Sequence, residues 1–366
     1  MTLMRTALFG LATASLVTAT ACGSDNSSKS SSGTSSASAA SINCSSGALS
    51  GAGSTFQQNI QQEWIKTYGE KCSGAQINYA GTGSGAGIQQ FGAGTIDFAG
   101  SDAVMKADEQ SKATSRCGDP AITIPVTAGG VAVMYNLPGV AALNLSAPTL
   151  ASIFQGTITK WNDPAITADN PGVTLPTTTI TPYHRSDGSG TTKVFSGFLA
   201  ANAPSWKLGS DKSLNWPGGQ AAKGSDGVTA GVKQTTGSVT YVEVSFAKAS
   251  NLPTAKVKGA GTTFSGISAQ TVDDFLAAAF TVTGTGNDLA GTINFKATAG
   301  YPISTVSYVI VCQKDSNASK GTLLKSYLTY VLNKGQELAE SVNYAKLPAS
   351  LQAKAIAQLN NLEIPA

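Results

Sequence analysis

Apolar and polar positions along this chain alternate between two periods. Phe56, Ile60, Trp64 and Tyr68 recur every four residues and lay one apolar stripe along a helix. Short apolar runs flank that helix, Ala48-Leu49-Ser50 before it and Ile77-Asn78-Tyr79-Ala80 after it, and each predicts a strand. A second helical stretch carries Ile88 and Phe91, and residues 95–100 predict a third strand that ends at Ser101-Asp102. Residues 122–136 form a long apolar extended run broken by Gly129-Gly130, a place for the chain to pass from one lobe to another. Further strands are predicted at 180–185, 238–246 and 304–311, and helices over about 320–341 and 350–360 close the chain. Strands alternating with helices predict an α/β fold with a largely parallel sheet.

The N-terminus departs from this pattern. Arg5 precedes an apolar stretch, residues 7–17, that ends in small residues and Cys22. A positive start, a short apolar core and small residues before a cleavage point make a secretory signal, here residues 1–21. Ala19-Thr20-Ala21-Cys22 resembles a bacterial lipobox, which implies lipidation (palmitate among the acyl groups) of Cys22, although an aliphatic residue is commoner where Ala19 stands. Residues 22–45 are mostly Ser, Ala, Gly and Thr without apolar periodicity, so they predict a flexible tether. The chain is thus expected outside the cytoplasm, anchored to the cell membrane by a lipid.

Charge adds an exclusion. The formal net charge is +3 and no Lys/Arg run is present, so a nucleic-acid partner is not expected. Four cysteines remain beyond Cys22: Cys44, Cys72, Cys117 and Cys312. An even count in an exported chain predicts two disulfides, with three connectivities open. The favoured one joins Cys44 to Cys72, pinning the start of the core to the end of its first helix, and leaves Cys117 with Cys312. No CxxC is present and His184 is the single histidine, so no metal is expected.

One arrangement recurs three times: a strand, a Gly/Ser/Thr-rich turn and a helix. The turns are Gly53-Ser54-Thr55-Phe56, Gly83-Ser84-Gly85 and Gly188-Ser189-Gly190-Thr191. A helix N-terminus offers free N–H groups and the positive end of a dipole, and Ser or Thr adds hydroxyl donors. Each turn alone reads equally as an ordinary helix cap. Three of them in one α/β chain can converge on a small oxyanion. Arg185, three residues before Gly188, can donate a bidentate pair to it, with Asp187 steadying the guanidinium. Asp102 ends a strand, where ligands bind in open α/β sheets. A carboxylate suits an anion site only when the anion carries a proton. Phosphate does near neutral pH and sulfate does not, so Asp102 would accept from the first and repel the second.

Together these stretches resemble the phosphate-binding proteins of the high-affinity phosphate ABC importers. The matches are Gly51-Ala52-Gly53-Ser54-Thr55-Phe56, residues 79–87, residues 97–102, Lys160-Trp161-Asn162-Asp163, Arg185-Ser186-Asp187-Gly188-Ser189-Gly190-Thr191, Asn215-Trp216-Pro217, Lys223-Gly224-Ser225-Asp226-Gly227 and residues 237–248. They run in order through almost all of residues 48–350. The resemblance implies a two-lobed flytrap crossed twice by the chain, with lobe I at about 46–128 plus 304–366 and lobe II at about 129–303. It implies phosphate ligands at Thr55, Phe56, Ser84, Asp102, Arg185, Ser189, Gly190 and Thr191, with Asp187 in support, and no cofactor. It implies delivery to an ABC permease, and a monomer is expected. Lys160, Trp161 and other exposed residues at the lobe tips are expected to meet the permease. Gln57 departs from the family, where a proline is frequent. His184 precedes the motif arginine and reads as a structural neighbour.

Other classes fit less well. A serine hydrolase elbow requires Gly two places before its serine, yet Thr82 precedes Ser84 and Asp187 precedes Ser189 in that place. Ser245-x-x-Lys248 has a Ser–Lys spacing but falls in the predicted strand 238–246, and neither a P-loop nor H-E-x-x-H occurs. An enzyme is therefore not expected. A receptor for another oxyanion conflicts with Asp102, and a phosphate sensor without transport would differ only in its partner.

Overall fold

The structure is a computed structural model and describes residues 42–365. The signal, the lipobox and most of the tether, including Cys22, lie outside those residues. The chain runs β1 (Gly47–Gly53), α1 (Gln58–Lys71), β2 (Ala75–Gly81), α2 (Ser84–Gly92), β3 (Phe98–Ser101), α3 (Ala107–Cys117) and β4 (Ala121–Asn136). It continues through β5 (Asn144–Ser146), α4 (Ala147–Phe154), α5 (Pro164–Asp169), β6 (Thr181–Arg185), α6 (Gly190–Asn202), β7 (Gln220–Ala222), α7 (Gly224–Gln234), β8 (Ser238–Glu243) and α8 (Val244–Ser250). It closes with β9 (Lys256–Lys258), α9 (Ala269–Ala279), β10 (Phe280–Val282), β11 (Gly291–Ile293), β12 (Ser304–Cys312), α10 (Ala318–Leu332), two 3-10 turns and α11 (Ala349–Asn360).

Eight strands form one sheet in the order β2-β1-β3-β12-β4-β8-β6-β7. Each end is parallel: β2, β1 and β3 at one, β8, β6 and β7 at the other. The long strands β12 and β4 join the ends and run antiparallel to their neighbours. Up to Gly130, β4 pairs with β12; from Val131 it pairs with β8. The partner change falls at Gly129-Gly130, where side chains have no room. A Cβ on Gly129 would stand 2.8 Å from the Phe56 ring, and one on Gly130 2.4 Å from Ile267. Every residue of β4 but the last is buried, as expected of a strand covered on both faces.

The stripe on α1 is buried, and Trp64 donates its indole N–H to the Gly335 carbonyl at 2.8 Å. Both disulfides are present in the favoured pairing, Cys44–Cys72 and Cys117–Cys312. The second ties the end of α3 to the end of β12.

Some expected elements differ. The strand predicted at 95–100 is shorter, because Thr95 and Asp97 turn back to Gln90 and Ser50 and only residues from Phe98 enter the sheet. The strand predicted at 238–246 stops at Glu243, whose carboxylate accepts the Ser245 N–H at 2.9 Å and caps α8. Ser245 and Lys248 are therefore one helical turn apart. The Ser245 hydroxyl bonds to Glu243 and accepts from Asn59 Nδ2 at 2.7 Å. The helix expected to 341 ends at Leu332, and 3-10 turns take over at Lys334–Leu338 and Glu340–Val342. Trp161 is not exposed: it is fully buried, tilted against Tyr135, and donates to the Gly237 carbonyl at 2.9 Å.

Candidate functional site

The three Gly/Ser/Thr turns come from opposite ends of the sheet and meet at its middle. The first follows β1, where Gly53 has φ 141° and its backbone lies so close to Gly100 that a Cβ would stand 2.1 Å from that carbonyl. This packing sets Ser54 beside Asp102, which follows β3. The Ser54 hydroxyl donates to Asp102 Oδ1 at 2.6 Å and accepts the Phe56 N–H at 3.0 Å. From the neighbouring β12, the Ser307 hydroxyl donates to the same oxygen at 2.5 Å.

The second turn opens α2. Gly83, with φ 92°, turns the chain, and Ser84 follows as the first helical residue. Ser84 Oγ accepts the Asp102 N–H at 3.3 Å. The third turn opens α6, where Ser189 caps the helix by accepting the Thr192 N–H at 3.1 Å. The amides of Gly190 and Thr191 lie in the first turn, where an α-helix has no carbonyl of its own to offer them. A Cβ on Gly190 would stand 2.5 Å from Ser84 Oγ and 2.6 Å from Asp102 Oδ2, so the two turns face each other at close range.

Arg185 ends β6 with its side chain buried. It forms a two-pronged pair with Asp187, Nε to Oδ1 at 2.7 Å and Nη2 to Oδ2 at 2.5 Å. This leaves Nη1 outside the pair, the geometry of a guanidinium shared between a supporting carboxylate and a second anion. The Gly224 N–H also donates to Asp187, at 3.0 Å. Burial acts to raise the Asp187 pKa, but Arg185 and the backbone donors outweigh it and hold the carboxyl below its usual range.

Asp102 is the opposite case. Burial pushes its pKa up to about 6, against the Ser307 and Ser54 hydroxyls, the Arg185 charge and Ser84. Its Oδ1 accepts two hydroxyls, whereas its Oδ2 is buried with no hydrogen-bond partner. Thr191 Oγ1 is buried and unpartnered as well. Buried polar atoms are rarely left so, and each costs roughly 1–3 kcal/mol until something bonds to it. An anion that carries a proton answers both: it donates to Asp102 Oδ2 and accepts from Thr191.

All eight expected ligand residues and Asp187 belong to these three turns and the two strand ends beside them. Besides the bonds already described for Ser84, Asp102, Arg185 and Ser189, Phe56 donates its N–H to Ser54, and the Thr55 hydroxyl lies 2.9 Å from Ser225 Oγ. The Thr55–Ser225 bond joins the two ends of the sheet, as do Gly85 N–H to the Gly188 carbonyl at 2.8 Å and the Lys212–Glu109 ion pair at 2.6 Å. His184 stacks on Trp216 with ring centroids 5.0 Å apart, and burial lowers its pKa. Sequence reasoning did not assign roles to Ser54, Ser225 or Ser307. Ser54 and Ser225 sit inside matched motifs; Ser307 carries no local signal beyond being a hydroxyl in a β-branched strand. Among the described residues no group of three or more His, Cys, Asp or Glu forms a metal cluster, and no helix is long and apolar enough to cross a membrane.

The family model described as a PBP superfamily domain matches residues 30–334. The phosphate-binding protein PstS3 of Mycobacterium bovis is 38% identical over 361 residues, 97% of both chains. The phosphate-binding protein PstS 2 of Mycobacterium tuberculosis is 38% identical over 363 residues, again 97% of both. Among solved structures, the phosphate-binding protein of Stenotrophomonas maltophilia superposes with a TM-score of 0.67 at 23% identity, covering 85% of this chain and 94% of its own. A putative phosphate ABC transporter substrate-binding protein from Clostridium perfringens, with bound phosphate, gives 0.61 at 17%, covering 82% and 100%. The structural likeness shows the two-lobed fold of periplasmic binding proteins.

Proposed function

Because the chain belongs to the phosphate-binding proteins of the PBP superfamily, we propose that it captures inorganic phosphate outside the cytoplasm and hands it to an ABC permease. Phosphate is bound and released unchanged; the site is not catalytic. Thr55, Phe56 and Ser84 bind it from lobe I, and Arg185, Ser189, Gly190 and Thr191 from lobe II. Asp102 accepts the ligand's proton and Asp187 steadies Arg185. Lobe I comprises about 46–128 plus 304–366 and lobe II about 129–303. The change of partner along β4 at Gly130 supports the boundary, since Gly130 pairs there with Ser304 at the start of β12. The protein acts as a monomer, tethered to the membrane through a lipid on Cys22, and Lys160 on the surface faces the permease.

Binding follows from closure. Phosphate bridges the lobes and favours the closed state by as much as its affinity for the two states differs. The N–H groups of the third turn, the hydroxyls and Arg185 replace the water the anion loses. The observation that carries the reading is Asp102 Oδ2, buried without a partner while Oδ1 is doubly occupied. Such an oxygen welcomes a protonated oxyanion and repels an unprotonated one. The test is calorimetric titration of wild type and Asp102→Asn with phosphate and with sulfate. The amide should keep some phosphate binding and relax the rejection of sulfate. Equal selectivity in both proteins would remove Asp102 as the discriminator.

A further inference from the structure

Gln57 follows Phe56 and is fully buried behind Asp102, outside the ligand set above. Its Nε2 donates at 2.7 Å to the Tyr308 carbonyl and at 2.7 Å to Ser307 Oγ. A carbonyl accepts only, so the amide orientation is settled and both Nε2 hydrogens are committed. Gln57 Oε1 accepts from Gln61 Nε2 at 3.1 Å, and Gln61 Oε1 accepts the Tyr327 hydroxyl at 2.8 Å. The donors therefore run one way: Tyr327, Gln61, Gln57, Ser307, Asp102.

Direction is what matters at the end of the chain. With a lone pair of Ser307 taken by Gln57, the serine proton points at Asp102 Oδ1, 2.5 Å away. Ser54 is polarised likewise, since it accepts the Phe56 N–H and donates to Oδ1. We propose that Gln57 is a positioning residue for ligand recognition: through Ser307 it keeps a hydroxyl proton on Asp102 Oδ1 and so reserves Oδ2 as the acceptor for the ligand's proton. The inference rests on Asp102 accepting that proton, as proposed above.

Without Gln57 the Ser307 hydroxyl is free to turn to the Ser101 carbonyl, 3.3 Å away. Asp102 then loses a donor to its ionised form and becomes more basic. Other ionisable groups face it too: Arg185 from β6, Glu243 from β8, Tyr79 from β2, Tyr308 from β12, and Tyr344 beyond the last 3-10 turn. None of their ionisable groups hydrogen-bonds to Gln57, so replacing it changes Asp102 through Ser307. Gln57, Gln61, Ser307 and Tyr327 all lie in lobe I as divided above, so the relay is in place whether the lobes are open or closed.

The test is calorimetry of the full chain with inorganic phosphate at about pH 5.5 and about pH 8.5, on either side of the Asp102 pKa of about 6. Wild type is compared with Gln57→Met, which keeps the volume and removes the donors, with Ser307→Ala, and with the double variant. Variant-to-wild-type ratios of Kd cancel the ionisation of phosphate itself. A rise of about one pH unit in Asp102 predicts a ratio near tenfold at the lower pH and within about threefold at the higher. The double variant should match Ser307→Ala alone. If Gln57→Met fails to fold, Ser307→Ala carries the same pH signature and Gln57→Glu, which offers Ser307 an acceptor, should reproduce it. Equal ratios at both pH values, or additive effects in the double variant, overturn the role given to Gln57. Absence of phosphate binding by wild type at either pH overturns the proposed function itself, and this inference with it.

Discussion

Gly190→Ala separates the ligand site from the stability of the fold. In the structure a methyl at this position would lie 2.5 Å from Ser84 Oγ, 2.6 Å from Asp102 Oδ2 and 2.8 Å from Asp102 Cβ. Separations under 3.0 Å are ones that Cβ atoms essentially never show, so something must move. Ser84 and Asp102 are buried, short and hydrogen-bonded, so neither yields freely. Overpacking of this kind costs about 1–3 kcal/mol, or roughly 5- to 150-fold in affinity if it falls on the closed state alone. On the proposed division Gly190 belongs to one lobe and the two residues it meets to the other, which places the cost on the closed state. In the open state the methyl only adds to the first turn of α6, where exchanging Gly for Ala is neutral or gains up to about 1 kcal/mol. The variant should therefore bind phosphate at least fivefold more weakly by calorimetry, while the ligand-free protein melts no lower than wild type. A Kd within twofold of wild type would refute the close approach of the two turns. A lowered melting temperature without ligand would refute the assignment of the clash to closure.

Two other buried charged groups, Arg185 and Glu243, respond differently to replacement. Arg185→Ala removes a buried charge and leaves Asp187 unpaired, so phosphate affinity should fall by about 2–4 kcal/mol; a change below about tenfold would take Arg185 out of the site. Glu243 is buried with Oε1 unpartnered, and burial raises its pKa from 4.5 to about 8 against the bonds from Ser245. Between those values the folded chain holds a proton that the unfolded chain has lost, so this group's contribution to stability declines as pH rises through the window. Glu243→Gln should therefore gain stability over wild type from pH 5 to pH 8, on the order of 1–3 kcal/mol by denaturant titration. A constant difference across that range would contradict the raised pKa.

Features encoded locally are legible in the sequence. The turns after β1 and before α2 and α6 announce themselves through Gly, Ser and Thr at consecutive positions, and α1 through its stripe from Ile60 to Tyr68. The break in β4 at Gly129-Gly130 stood out because two glycines interrupt an apolar run. Features that depend on a distant partner were not legible. Ser307 matters because β12 pairs with β3, which brings it to Asp102, and no residue near it in the chain says so. Gln57 looked like a departure from a family pattern, yet its amide fits between Ser307 and the Tyr308 carbonyl. The apolar run after Glu243 suited a strand as well as a helix, and the Glu243 cap decides for α8. Trp161 was expected at the surface beside Lys160, but the distant Gly237 carbonyl gives its indole a buried partner.

On the proposed reading this protein takes phosphate and refuses sulfate through one carboxylate oxygen, Asp102 Oδ2. Equilibrium dialysis of the purified protein against trace radiolabelled phosphate, with and without about a thousandfold excess of sulfate, tests it most directly. Phosphate should be retained tightly, and sulfate should leave that retention intact. No retention, or retention that sulfate abolishes, would mean that the chain has kept the fold of its family without this selectivity.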